Sequence, residues 1–425
     1  MKAFRGAFYT SGSQLFKILT GFVLLKFLAV YLGPDGLGYL GNFMSVMAFM
    51  SLLAGGGITN AIIKYVSENI VHPDKNIYFL SSVKLYSHVF CGVTFLIGII
   101  FSNQISEFFF VTNEYWYFVV LISFAQYLMA INNIAIGVIN GLGRTDLFFY
   151  AQCFSSILSV ILFVTIFNLS NSIIAGALCV VVMYSAYSIA YSFFYYKSKS
   201  KDNISIFKAK RGYLGKLLPY SVMTLAGAIS FPLSEVFVRK IISISVSSDV
   251  VGIWQSGIRI SNAYTGFFSL FMVYYLVPIL SKLERKVEIE KIIKKYIFSI
   301  GGMYVIFSLI FYMMSGPIIK IMLSEDFSEL AESIQWLLLS DFFKVTAYVM
   351  SVLTLAKAYT KYYIIGEFIQ GVLWILSALS VTFFVNDISL SSYYKFQAVF
   401  NLIFFIIVLC VFACYIMNKE LKNNV

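Results

Sequence analysis

Twelve apolar segments, each long enough to cross a bilayer, follow one another through this chain and leave it one class of fold. They run near residues 8–32, 37–63, 77–101, 115–138, 147–168, 173–196, 213–238, 250–281, 296–323, 334–355, 362–385 and 392–417. About 20 apolar residues, rising 1.5 Å each as a helix, span the ~30 Å hydrocarbon core of a membrane. In lipid only helices and closed barrels satisfy their own backbone groups, and continuous apolar runs of this length are helices. A soluble alternative fails on composition. Hydrophobic residues make up 60% of the 425, charged residues 12%, and mean hydropathy is +0.85. A soluble domain carries about 45–50% apolar and roughly 25% charged residues. The expected class is an all-α polytopic membrane protein. Lys17 and Lys26 interrupt the first apolar stretch and no small-residue cleavage site follows, so it reads as a retained span.

Lysine and arginine set the orientation. With a cytoplasmic N-terminus, the inner loops and tails carry 22 of the 31 basic residues, and only Arg239, Lys240, Lys320 and Lys395 lie outside. Acidic Glu325, Asp326, Glu329 and Glu332 crowd an outer loop instead. The positive-inside rule then places both termini in the cytoplasm. The richest inner segment, from Lys197 to Arg211, reads as a topology anchor and interlobe linker, with a patch for anionic headgroups as the alternative.

The chain also repeats itself. Lys26, Asp35 and Gly38 recur 214 residues later as Lys240, Asp249 and Gly252, and Thr145 recurs 215 residues later as Thr360. The offset covers six spans, so the halves keep one orientation, as in a parallel repeat about an axis along the membrane normal. The expected organisation is an N-lobe of helices 1–6 (residues 1–196), a basic cytoplasmic linker (197–212) and a C-lobe of helices 7–12 (213–425). A central cavity is expected between the lobes.

Several charges lie where lipid alone would not tolerate them. A charged side chain at mid-bilayer costs about 2.5–3.5 kcal/mol on insertion scales, so such residues face the bundle interior or water. Lys17 is about 13 Å into the first span. Lys26, nine residues on, points the other way, so both line one groove only if the helix bends, with Gly21 the candidate; Lys26 can also snorkel outward. Arg259, in span 8, has no carboxylate three or four residues away, and its partner must come from another helix or a ligand. Asp341 with Lys344, and Glu235 with Arg239, are spaced for neutralisation within one helix. Glu367 lies on span 11. Intramembrane basic residues, with Lys84 included, outnumber acidic ones five to three, which favours an anionic substrate.

Other chemistries find no support. The chain has no P-loop, HExxH or GxSxG, and no outer loop longer than about a dozen residues. The five cysteines fall in apolar segments without a CxxC, and there are two histidines, so neither metal nor cofactor is expected. No enzyme activity is expected.

Several strings in this sequence are familiar. They include Lys17 through Lys26-Phe-Leu-Ala-Val, Gly33-Pro-Asp-Gly-Leu-Gly, Gly55-Gly-Gly-Ile-Thr-Asn, Lys64-Tyr-Val and Asp249-Val-Val-Gly-Ile-Trp-Gln255. Ser261-Asn-Ala-Tyr264, Asp341-Phe-Phe-Lys344-Val-Thr-Ala-Tyr348 and Tyr363-Ile-Ile-Gly-Glu367 extend the set. Over nearly its whole length the chain resembles the Wzx-type flippases of O-antigen and enterobacterial common antigen synthesis. These belong to the multidrug/oligosaccharidyl-lipid/polysaccharide exporter superfamily. Arg259 and Asn262 depart from the pattern of the common antigen flippases, which implies a different glycan.

The resemblance implies twelve helices in two six-helix lobes, a V-shaped cavity and alternating access. It implies translocation of an undecaprenyl-diphosphate-linked oligosaccharide across the bacterial inner membrane for lipopolysaccharide or surface polysaccharide synthesis. The implied partners are that glycolipid, membrane lipids, and the polymerase and chain-length regulator of the same pathway; no nucleic acid is expected. For the diphosphate and glycan the candidates are Lys17, Lys26, Lys64, Arg259, Asn262 and Lys344. For ion or proton coupling they are Asp341, Glu367 and Glu235. The alternatives are a drug/cation antiporter of the same superfamily, which would favour an acidic cavity, and an O-antigen polymerase or ligase, which would need a large outer loop.

Overall fold

The computed structural model describes residues 2–69, 73–110, 112–169, 178, 181, 189, 193, 206–357 and 359–417. Every regular element among the described residues is helical. The first half contributes α1 (Lys2–Leu53), α2 (Thr59–Glu68), α3 (Pro73–Ile100), α4 (Ser102–Phe110), α5 (Trp116–Gly141) and α6 (Thr145–Leu169). The second contributes α7 (Arg211–Ser245), α8 (Ser248–Phe271), α9 (Val277–Lys282), α10 (Lys286–Met313) and α11 (Ser315–Met322). It ends with α12 (Ser328–Ala356), α13 (Thr360–Phe384) and α14 (Leu390–Met417). Among the described residues, nine helices are long and apolar enough to cross a membrane.

The apolar segments near 77–101, 115–138, 147–168, 213–238, 334–355, 362–385 and 392–417 lie within α3, α5, α6, α7, α12, α13 and α14 or within a residue or two of their ends. The segment near 173–196 lies outside the described residues apart from four isolated positions. Two expectations change. The ninth segment, expected at 296–323, begins at Lys286, and the residues after Met313 form the separate short helix α11. The charged run at its start is helical because its charges pair one turn apart, as in Glu290–Lys294 at 2.6 Å. The bend in α1 is at Gly33 (φ 64°, ψ −172°), just before Pro34, and Gly21 stays helical.

The order of elements repeats. Helices α3, α4, α5 and α6 begin at residues 73, 102, 116 and 145, and α10, α11, α12 and α13 begin at 286, 315, 328 and 360. In each half a short helix and a 3-10 turn (Asn113–Tyr115 or Glu325–Phe327) join two long helices.

The chain forms two compact units. Unit 1 is Met1–Leu24 with Tyr39–Pro232, and unit 2 is Leu25–Gly38 with Leu233–Val425. The dividing points fall inside helices α1 and α7, outside the basic segment 197–212.

In unit 1 the core packs Ile58, Ala61, Ile62 and Val66 of the second span against Phe79, Leu80 and Val83 of α3. The second span is broken at Gly55, Gly56 and Gly57, whose φ angles of 72°, 90° and 63° are a conformation that side chains disfavour. The break frees carbonyls that lipid could not satisfy. Ser87 donates to Gly55 O (3.0 Å), Thr224 to Gly57 O (2.7 Å), and Asn133 to Ser51 O and Ala54 O (2.8 and 3.2 Å).

In unit 2 the repeat explains a contact. A Cβ on Gly252 would sit 1.6 Å from Pro34 O, and one on Gly38 would sit 2.9 Å from Ser248 O. The two glycines that match across the repeat are thus the positions where two backbones meet too closely for any side chain.

Candidate functional site

Helix α8 organises the polar interior of unit 2. Gln255, Arg259 and Asn262 are spaced four and three residues apart and share one of its faces; Ser261 and Tyr264 share another. The first face meets α7. There Arg239 donates through Nη1 to Gln255 Oε1 at 2.6 Å and lies 3.3 Å from Glu235 Oε2. Glu235 and Arg239 are 4% and 2% exposed, so the pair is sealed from both lipid and water. Around them the Gln255 Nε2 and Arg259 Nε atoms are buried without a hydrogen-bond partner.

The second face of α8 meets α12. Asp341 is fully buried, and its Oδ2 accepts from Ser261 Oγ (2.6 Å) and the Tyr264 hydroxyl (2.5 Å). Its Oδ1 has no partner. Lys344, one turn along α12, lies within electrostatic reach of Asp341 and of Glu367 on α13, and Glu367 also faces Tyr363. Tyr304 closes the cluster from α10, with its hydroxyl on Leu338 O (3.0 Å) and its ring 6.3 Å from that of Tyr264. A carboxylate in this setting can exchange a proton or exchange partners, because two donors fix one oxygen and leave the other open.

The expected site residues therefore divide. Unit 2 gathers Asp341, Lys344 and Glu367 in one cluster, and puts Glu235 in an ion pair of its own. Arg259 and Asn262, both half-buried, lie on the α8 face shared with Gln255, away from Ser261 and Tyr264. Lys26 is half-buried in the segment of α1 that belongs to unit 2, where its Nζ donates to Lys320 O at 3.3 Å. Lys17 and Lys64 belong to unit 1 and are exposed. No group of His, Cys, Asp and Glu able to hold a metal ion occurs among the described residues.

Sequence spacing alone missed Gln255 and Tyr304, and it gave no role to Ser261 and Tyr264. Their signal is a polar side chain at helical spacing in an otherwise apolar span, weak for Ser and Tyr, which bury easily.

Comparison with known proteins places this architecture. Residues 3–284 match the family described as polysaccharide biosynthesis protein. The chain belongs to that family. It is 27% identical over 380 residues to the lipid III flippase of Escherichia coli (strain K12), covering 89% of this chain and 91% of the relative. The lipid III flippase of Shigella flexneri is similar to the same extent. Among solved structures, the chain is similar to a multidrug resistance MATE family transporter of the MOP superfamily in its inward-facing conformation. The TM-score is 0.75 at 14% identity, over 96% of this chain and 95% of that one. The outward-facing form of such a transporter matches with a TM-score of 0.64 at 14% identity, over 100% and 96% of the two chains. The fold is that of the MATE transporters.

Proposed function

We propose that this member of the polysaccharide biosynthesis family is a flippase that moves an undecaprenyl-diphosphate-linked oligosaccharide from the cytoplasmic to the periplasmic leaflet of a bacterial inner membrane. The observation that carries the reading is the similarity, along nine-tenths of both chains, to relatives named lipid III flippases. The residues supply a physical reason. A diphosphate leaving water needs cations, and Lys17, Lys64, Arg259 and Lys344 are cations within or at the ends of spans. Asn262 and the tyrosines offer hydrogen bonds and ring faces to sugars. Asp341 and Glu367 are the groups whose protonation could couple to a gradient, with Asp341 the better placed because Ser261 and Tyr264 report its state to α8. Both termini lie in the cytoplasm, the N-lobe and C-lobe are joined by the basic segment 197–212, and the polymerase and chain-length regulator of the pathway are downstream partners.

The test is reconstitution. Proteoliposomes holding the purified chain and a labelled undecaprenyl-diphosphate oligosaccharide should move label across the bilayer at a rate proportional to the protein present. Translocation equal to that of protein-free liposomes would overturn the reading. A drug/cation antiporter of the same fold would instead acidify or alkalinise the lumen on addition of a cationic drug.

A further inference from the structure

A basic cluster lies in unit 1, at the end of its helices that the positive-inside rule places in the cytoplasm. The ring of Tyr65, on α2, is its centre. Lys64 Nζ lies 5.4 Å from the centroid of that ring, and Lys216 Nζ, from α7, lies 5.5 Å from it and 5.4 Å from the ring of Tyr213. Tyr220 stands edge-on to Tyr65 at 6.4 Å and is within electrostatic reach of Lys64. Lys210, in the segment leading into α7, caps the ring of Tyr78 at 3.8 Å. Phe79 fixes the platform, packed at 5.2 Å on Tyr65 and 5.6 Å on Tyr213.

Like charges held against one ring repel each other unless an anion lies between them. Among the described residues neither Lys64 nor Lys216 has an ion pair with a carboxylate. The nearest acid, Glu68, is one turn along α2 and only within electrostatic reach of Lys64. Both lysines are exposed, so a ligand reaches them. Their ammonium groups already lie near tyrosine rings, which lowers the freedom each loses on binding. The start of α7 is the positive end of a 35-residue helix and adds to the attraction for an anion.

We propose that Lys64 and Lys216, gathered on Tyr65, form a site for a phosphate group carried by a membrane lipid at the cytoplasmic interface. Its chemistry is that of a lipid phosphate or diphosphate whose chain stays in the bilayer while the anion lies between two ammonium groups. Two sources supply that chemistry: the polyprenyl diphosphate of the transported glycolipid, for which the site would load substrate, and the anionic phospholipids of the inner leaflet. The first source rests on the flippase reading, and the second does not.

Binding separates them without any transport step. The full chain in nanodiscs of neutral phosphatidylcholine is titrated with undecaprenyl diphosphate and, separately, with phosphatidylglycerol, and bound lipid is counted by native mass spectrometry. Each lysine-to-glutamine change, Lys64→Gln or Lys216→Gln, should weaken binding about five-fold, and the pair by more than ten-fold. Lys64→Arg with Lys216→Arg should keep most of it. Loss confined to undecaprenyl diphosphate identifies the substrate as the ligand, and loss confined to phosphatidylglycerol identifies the bilayer. Wild-type affinity of the folded double glutamine variant for both lipids would overturn the site, whatever translocation assays then report. Lys395→Gln, on the opposite side of the membrane beside Trp336, is the control for general charge and should change neither titration.

Discussion

In unit 2, Arg239 sits 3.3 Å from Glu235 and 2.6 Å from Gln255, and almost none of it is exposed. In unit 1, Lys17, Lys64 and Lys216 stand exposed, with tyrosine rings or nothing charged against them. Both solutions put cations into an apolar chain. The first neutralises charge within the protein, at a cost that close geometry must offset. The second leaves the charge open to whatever anion arrives. Charges of the first kind are satisfied by the protein itself, and charges of the second kind are open to a ligand. The comparison therefore predicts that stability and transport separate between the two units.

The largest effect should fall on stability and in unit 2. Glu235→Ala leaves Arg239 buried with one partner fewer, and removing one member of a buried pair costs about 3–5 kcal/mol. Thermal unfolding of the purified variant in nanodiscs should shift far below the wild type. Lys17→Ala and Lys64→Ala should unfold within about 1 kcal/mol of the wild type while reducing glycan export. Equal unfolding temperatures for Glu235→Ala and Lys64→Ala would erase the distinction between the units.

Arg259 tests the comparison from within unit 2, since its Nε is buried without a hydrogen-bond partner one turn from Gln255, whose Oε1 is taken by Arg239. If a diphosphate is its partner, Arg259→Ala should lower export about ten- to hundred-fold, the range of one charge-assisted hydrogen bond. Arg259→Lys should retain part of it, because a point charge replaces the planar fork incompletely. Export is measured as surface glycan against the amount of inserted protein. An alanine variant that exports at the wild-type level would return Arg259 to a structural role.

Asp341 asks whether a buried acid is fixed or responsive. If the Asp341–Lys344 spacing serves only to neutralise charge, Asp341→Lys combined with Lys344→Asp should preserve export. The grip of Ser261 and Tyr264 on Oδ2 argues otherwise, since a lysine there removes the acceptor that both hydroxyls donate to and requires both to turn round and accept. The swapped variant should insert but export several-fold less, and Asp341→Asn should remove the dependence of export on external pH. An active swap with unchanged pH dependence would end the coupling role. Tyr264→Phe should cost about 1 kcal/mol of stability and shift that pH profile, which a purely structural hydroxyl would not do.

The two kinds of charge were not equally legible in the sequence. Span positions follow from hydropathy because lipid leaves the backbone no choice but helix. The Glu235–Arg239 pair follows from four-residue spacing, and the glycines at 38 and 252 follow from the repeat. What holds Asp341 is a hydroxyl pair on another helix, 77 and 80 residues away in sequence, and no local period encodes it. The short helices α4 and α11 are similarly hidden. Helix α4 begins just past the segment that ends near 101, where hydropathy alone reads a loop, and the apolar residues of α11 merge with the span before it. No sequence spacing relates Lys216 to Lys64, because the ring they share is brought near by the packing of α7.

The smallest expected effect concerns Lys26, which stands between the two classes. Its position in the first span resembles that of Lys17, yet it belongs to unit 2 and its Nζ donates to the carbonyl of Lys320. Lys320 is itself paired with Glu325, so Lys26 ties the unit 2 segment of α1 to α11 through a charged neighbour. A single half-buried hydrogen bond to a carbonyl contributes about 0.5–1.5 kcal/mol. Lys26→Met keeps the stem and its packing but removes the donor. Unfolding should shift by that small amount, with export per inserted molecule unchanged. Lys26→Arg should restore the lost stability, since a guanidinium reaches the same carbonyl. If export by Lys26→Met falls ten-fold at wild-type stability, Lys26 belongs with the open cations of unit 1, and membership of a unit does not decide the role of a charge.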